Sequence, residues 1–116
     1  MGGLPNEQLG GMIVRLEMKQ HIQGSTLRVE IIGLMDYSTI DDFELGIPDN
    51  VTKIIVDLAG LDFIDSTGIG AFLSMIYDAS ERGSTVEFVS MNDVITELFD
   101  TIGIFRIMES LQKGGQ

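Results

Sequence analysis

The chain has 116 residues, of which 44% are hydrophobic, the size and apolar content of one folded domain. Eighteen acids against seven bases give a net charge of −11, which argues against nucleic acid or an anionic membrane surface as a partner, because both need clustered Lys and Arg. There is no cysteine, so disulfides, thiol catalysis and cysteine-ligated zinc are excluded, and no apolar run approaches the roughly 20 residues of a membrane span.

Residues 1–11 carry neither the basic start nor the apolar stretch of a secretion signal, and Asn6 stands where a myristoylation site needs Ser or Thr. They read as a flexible tail. Ile13 to Lys19 alternates apolar and polar residues, as does Leu27 to Ile31, and Gln23-Gly24-Ser25 between them is a turn signal. The pair predicts an antiparallel hairpin with one solvated face. The single histidine, His21, falls near that turn without a second His or Cys to share a metal, so a solvated side chain is expected. Gly33 to Tyr37 breaks the pattern. Ser38 is placed to cap a short helix from Thr39 to Glu44, which Gly46 and Pro48 stop.

Val51 to Leu58 is the strongest strand signal, and its continuous apolar centre predicts cover on both faces. Ala59 to Asp62 reads as a loop. A helix follows from Thr67 to Glu81, with Ile69, Phe72, Leu73, Ile76 and Tyr77 at helical spacing, and Arg82-Gly83 ends it. Thr85 to Val89 is a strand. Ser90 is read as the cap of a third helix whose core stripe is Val94, Ile95, Leu98, Phe99 and Ile102, ended by Gly103. Phe105 to Met108 reads as a short last strand and Leu111 to Gln116 as a frayed tail. The order β-β-α-β-α-β-α-β implies a single α/β domain, residues 12–110, with a mixed, mostly parallel sheet and an N-terminal antiparallel hairpin.

The chemistry gathers where the strongest strand hands over to a helix, at Phe63-Ile64-Asp65-Ser66-Thr67-Gly68-Ile69-Gly70. Helix N-termini favour negative charge, phosphate included, through free N–H groups and the helix dipole. A serine nucleophile would need a base, and His21 lies far away in sequence. Ile64 also stands where the nucleophile-elbow motif has its first glycine. Gly68-Ile69-Gly70 lacks the third glycine of a dinucleotide fingerprint and no Walker lysine follows it, so close helix–sheet packing is the expected role of both glycines. Asp57 at the end of an apolar strand resembles a phospho-accepting aspartate, but Asp41-Asp42 do not follow a strand and Lys113 is the only later lysine. Asp57 is therefore read as structural. No catalytic residue, cofactor site or metal site is assigned. Between Asp36 and Asp65 stand eight acids and one base, Lys53, so the acidic segment ends on this turn. Met35, beside Asp36, is expected to be exposed and adaptable, as on a docking surface.

Asp65-Ser66-Thr67-Gly68-Ile69-Gly70, after Ile55-Val56-Asp57-Leu58 and Leu61-Asp62-Phe63-Ile64, resembles the signature of the STAS-domain anti-sigma factor antagonists. Gly33-Leu34-Met35-Asp36 resembles the family's Gly-x-x-Asp loop, and Leu98-Phe99 with Gly103-Ile104-Phe105 resembles the end of its third helix and its last strand. The resemblance implies a cytoplasmic, non-enzymatic partner switch. In such a switch the unphosphorylated protein binds an anti-sigma factor with serine kinase activity and frees the sigma factor. Phosphorylation ends the binding and a PP2C-type phosphatase restores it. Matched to the motif, the phosphorylated residue is Ser66, with Thr67 second. Met35, Asp36, Tyr37, Asp65, Ser66, Thr67, Gly68 and Ile69 are the implied partner-binding residues, and a monomer is favoured. The first helix is shorter than the family's usual one, cut by Gly46-Ile47-Pro48, and Leu34-Met35 replaces commoner polar residues. The alternative role within the same family is a scaffold or transporter accessory subunit that does not switch.

Overall fold

Strict alternation sets the centre of the sheet. A computed structural model describes residues 15–112. In it, strand β2 (Thr26–Met35) buries every second residue, including Leu27, Val29, Ile31 and Met35. Strand β1 (Leu16–Gln23) pairs with β2 antiparallel across the two-residue turn Gly24-Ser25. On its other side β2 pairs in parallel with β3 (Lys53–Ile64), which pairs in parallel with β4 (Thr85–Val89), in the order β1-β2-β3-β4. The register stacks Leu27, Ile54 and Val86 in one row and Val29, Val56 and Phe88 in the next, all buried.

Three helices cover that face: α1 (Ser66–Glu81), α2 (Asp93–Ile102) and α3 (Ile104–Gln112). Phe72 of α1 is the hub, with ring centroids 5.9 Å from Phe43, 5.4 Å from Phe88 and 6.0 Å from Phe99. Phe105 extends the cluster from Phe99 at 6.1 Å. These edge-on contacts add specificity to what is mainly area removed from water. Among the described residues the opposite sheet face is partly open. It carries the ion pairs Arg28–Asp57 at 2.7 Å and Lys53–Glu87 at 3.2 Å.

The mixed, mostly parallel sheet behind an antiparallel hairpin is the architecture expected from the sequence, and several details differ. The run Ile54-Ile55-Val56 suggests cover on both faces, yet among the described residues only one face is covered and Ile55 is half-buried on the other. Residues 59–62 are strand rather than loop. Between Asp57 and Phe63, β3 advances one extra residue twice against β2, so its buried positions change from Ile54, Val56, Leu58 to Leu61 and Ile64. Such bulges break the two-residue period by which a strand is recognised. The first helix is a single 3-10 turn, Ile40–Asp42, and the following residues run without helix.

Phe105 to Met108 is not a strand but part of α3, which runs past residue 110 to Gln112. Ile104, Phe105, Met108 and Leu111 recur at helical spacing against the core, a period that four residues alone do not display. Asn92, not Ser90, caps α2, its side-chain oxygen accepting from Ile95 N at 2.8 Å. Ile95 and Phe99 are buried there, whereas Val94 is 75% exposed. Residues 1–14, with the expected tail and the start of the first strand, lie outside the described residues.

Truncating Phe99 to Ala removes the ring joining Phe72, Phe88 and Phe105 and is expected to cost about 3–5 kcal/mol. Val94→Ala should stay within about 0.5 kcal/mol of the parent. Urea unfolding of both variants measures the contrast.

Candidate functional site

Two strand ends lie side by side and build the site. Met35 closes β2 opposite Ile64, the last residue of β3. The chain leaves β2 into the Asp36 loop and leaves β3 into Asp65 and helix α1. Asp65 joins the two. Its N–H donates to Met35 O at 3.0 Å, and its carboxylate oxygen Oδ2 accepts from Tyr37 N at 3.3 Å. Oδ1 accepts from Thr67 N at 2.9 Å and Gly68 N at 3.1 Å. Asp65 is thus the N-cap of α1, in extended backbone conformation, and it satisfies two of the amides that every helix start leaves open. Ser66 and Thr67, which offer the more familiar capping hydroxyls, do not fill that role.

Gly68 lets the helix come this close. A Cβ there would stand 2.7 Å from Met35 O and 2.7 Å from Ile64 Cγ1. Gly70 has open space around it, so the close-packing role expected of both glycines belongs to Gly68 alone.

The Asp36 loop is fixed by its own side chains. The Asp36 carboxylate accepts from Ser38 N at 2.9 Å, Ser38 Oγ at 2.6 Å and Thr39 N at 3.1 Å. The Arg15 guanidinium donates to Ser38 Oγ. Hydrogen bonding from the Ser38 hydroxyl holds the Asp36 carboxyl below its ordinary range against a smaller opposing effect of burial, helped by the Ser38 and Thr39 amides and the Arg15 charge. Ser38 therefore serves Asp36 and is not a helix cap. Thr39, expected only as the first residue of a short helix, is buried, and its hydroxyl donates to Leu34 O at 2.9 Å and accepts from Asp36 N at 3.0 Å. An Asp followed three residues later by Thr, just after a strand, is the local signal for such a turn.

Of the residues singled out from sequence, Asp36, Tyr37, Asp65, Ser66 and Thr67 meet at this end of the sheet. Ser66 is exposed, Thr67 is half-buried and Tyr37 is 79% exposed. Met35 is fully buried, contrary to its expected exposure, because the alternation of β2 runs through to its last residue and turns Met35 toward the helices. Gly68 and Ile69 are buried as well. They support the surface from beneath.

His21 faces Arg28 at the other end of the sheet, and roughly 23 Å of strand separates Arg28 from Met35. Ser66 therefore has no imidazole beside it. Asp57 is engaged by Arg28 at 2.7 Å and by Ala59 N at 2.9 Å. Among the described residues no three His, Asp or Glu side chains cluster as a metal site, and no helix is long and apolar enough to cross a membrane.

The family model of the STAS domain matches residues 15–113. The chain belongs to the STAS domain family. A curated relative, the anti-sigma F factor antagonist of Paenibacillus polymyxa, is 26% identical over 102 residues, spanning 84% of this chain and 86% of the relative. Two solved structures share the fold. The anti-sigma factor antagonist SpoIIAA in its unphosphorylated form superposes with a TM-score of 0.62 at 18% identity, covering 76% of this chain and 80% of that one. The Bacillus cell fate determinant SpoIIAA in its phosphorylated form gives 0.55 at 17% identity, covering 78% and 86%. The resemblance read from Asp65-Ser66-Thr67-Gly68 and its flanking strand thus agrees with both the family and the relatives.

In this STAS domain the start of α1 is not an empty anion seat. Asp65 already occupies the Thr67 and Gly68 amides, so negative charge added at Ser66 meets a carboxylate where a bare helix would offer N–H groups. Asp65→Ala leaves these amides and the Tyr37 N–H without their acceptor, and is expected to cost about 1–2 kcal/mol in urea unfolding. Asp36 supplies a pH signature. Its folded carboxyl titrates below the unfolded one, so its contribution is present above about pH 4 and is lost as pH falls through the folded value. The stability gap between the parent and Asp36→Asn should therefore be widest at neutral pH and close in acid.

Proposed function

We propose that this STAS domain is a cytoplasmic anti-sigma factor antagonist switched by phosphorylation at Ser66. The unphosphorylated form binds an anti-sigma factor that is also a serine kinase, and so frees the sigma factor. The kinase phosphorylates Ser66, the complex separates, and a PP2C-type phosphatase resets the protein. The chain itself does no catalysis; Ser66 is the substrate of another protein's active site.

One observation carries this reading. Ser66 is an exposed hydroxyl on the first residue of α1, set directly beside a carboxylate that already fills the helix start. A phosphoryl group brings about −1.5 to −2 charge and three acceptor oxygens. With the Thr67 and Gly68 amides taken by Asp65, that charge faces outward, into a surface that also holds Asp36 and the Tyr37 ring. A partner shaped around a neutral hydroxyl then meets bulk and repulsion, while the domain's core is untouched. Thr67 is less available to a kinase because it is half-buried. The relative from Paenibacillus polymyxa, an anti-sigma F factor antagonist, supports the class of partner. A SpoIIAA structure in a phosphorylated form supports the compatibility of this fold with phosphorylation.

The test is phosphorylation by the cognate kinase with ATP, read by mass spectrometry and binding. Ser66 should take the phosphate, Ser66→Ala should bind and stay unmodified, and Ser66→Asp should bind at least about tenfold more weakly, a loss of roughly 1.4 kcal/mol. Phosphate absent from Ser66, or Ser66→Asp binding as tightly as the parent, would overturn the switch.

A further inference from the structure

The shortened first helix leaves a groove beside α1. A cavity of 320 Å³ lies there, with Phe43, Leu45 and Ile47 on one wall and Ala71, Ser74 and Met75 on the other. Its walls are largely apolar and its surroundings are acidic. Asp78 lines it, and Asp41, Asp42 and Glu44 stand exposed along the connection that forms the first wall. The neighbouring cation, Arg82, is already engaged. It donates to Ile47 O at 2.9 Å and pairs with Asp78 at 3.3 Å and Asp49 at 3.5 Å. Arg82 thus ties the connection to the end of α1, and the acidic rim is left without a local counter-charge from it.

We infer that this groove is the anchoring half of the docking surface and that it takes a basic amphipathic segment of the partner, two apolar side chains entering between flanking Lys or Arg. Volume and charge select that occupant. A cavity of about 150 Å³ holds a benzene, so this one has room for two apolar side chains. An acidic rim around an apolar floor repels a second copy of this chain, whose net charge is −11, and favours a cationic segment. The groove is also continuous with the switch. Ser66, Gly70 and Ser74 follow one another at four-residue spacing on the exposed stripe of α1, and Ser74 is part of the groove wall. About 12 Å of helix axis separates Ser66 from Ser74. A segment seated in the groove therefore runs beside the phosphorylated residue. The inference rests on the proposed switch for the identity of the partner, and on the groove alone for its chemistry.

The experiment titrates the ¹⁵N-labelled full chain with three synthetic twelve-residue peptides. One sets two leucines four residues apart among lysines, one sets the same leucines among glutamates, and one replaces the leucines with serine among lysines. The first should move the amide resonances of Phe43, Ala71 and Ser74 saturably, and the other two should not. Ser74→Trp places an indole in the groove from an exposed position and should weaken the lysine–leucine peptide at least about tenfold. The combined change Asp41→Asn, Asp42→Asn and Glu44→Gln removes rim charge without touching the walls and should weaken it similarly. Equal binding of the lysine–serine peptide, shifts spread over the acidic surface, unchanged affinity in both variants, or self-association of the chain through the groove would each overturn the inference. The two proposals fail separately. A kinase that phosphorylates Ser66 and binds Ser74→Trp as it binds the parent overturns the groove alone, whereas peptide docking in the groove with no phosphate on Ser66 overturns the switch alone.

Discussion

One carboxylate holds two segments that the backbone alone would leave apart. The β2–β3 pairing ends at Met35 and Ile64, and beyond it neither chain has a strand partner. Asp65 takes over. One carboxylate oxygen closes the first turn of α1 and the other reaches the Tyr37 amide in the Asp36 loop. Charge-assisted hydrogen bonds of this kind are stronger than neutral ones, and these three share one rigid side chain. The Asp36 loop adds a second, smaller network through Ser38 and Thr39. Together the two networks hold Ser66 outward on a floor made by Met35, Gly68 and Ile69.

That arrangement sets how the surface responds to charge. A helix start with free amides would draw a phosphate inward and let the protein absorb it. Here the carboxylate has the Thr67 and Gly68 amides already, so the effect of the proposed phosphorylation falls on whatever is docked outside. Phe72, the hub of the aromatic cluster, stands six residues along α1 from Ser66. Such a separation suits the proposed switch, in which the domain binds, releases and binds again without unfolding. The shortened first connection is assigned to the same surface only by the groove proposal. Beside α1 the chain offers apolar walls inside an acidic rim.

The parts of the fold legible in the sequence are those governed by local period. β2 alternates from Leu27 to Ile31, α1 repeats at helical spacing through Ile69, Phe72 and Ile76, and the Gly24-Ser25 turn joins the hairpin. The illegible parts are those where tertiary context overrides the period. The bulges in β3 made strand look like loop. Phe105 to Met108 carried too few residues to tell a strand from the helix that the edge of β4 and the Phe99 ring require. The site divides in the same way. Asp65, Ser66 and Thr67 stand out as a motif between strand and helix, whereas the Asp36–Thr39 spacing signals a turn but not the bond to Leu34 O or the burial of Thr39.

Residue identity and order therefore sufficed for the class of fold, the acidic character, the absence of thiol chemistry and the position of the Asp-Ser-Thr-Gly turn, because each follows from composition or from patterns a few residues long. Folding decided which side chain caps α1, which way Met35 points, that Gly68 and not Gly70 makes the close approach, and that an apolar groove opens beside α1. Those depend on distances between residues remote in the chain, such as Met35 and Gly68 or Ile47 and Arg82, which only packed strands and helices bring together.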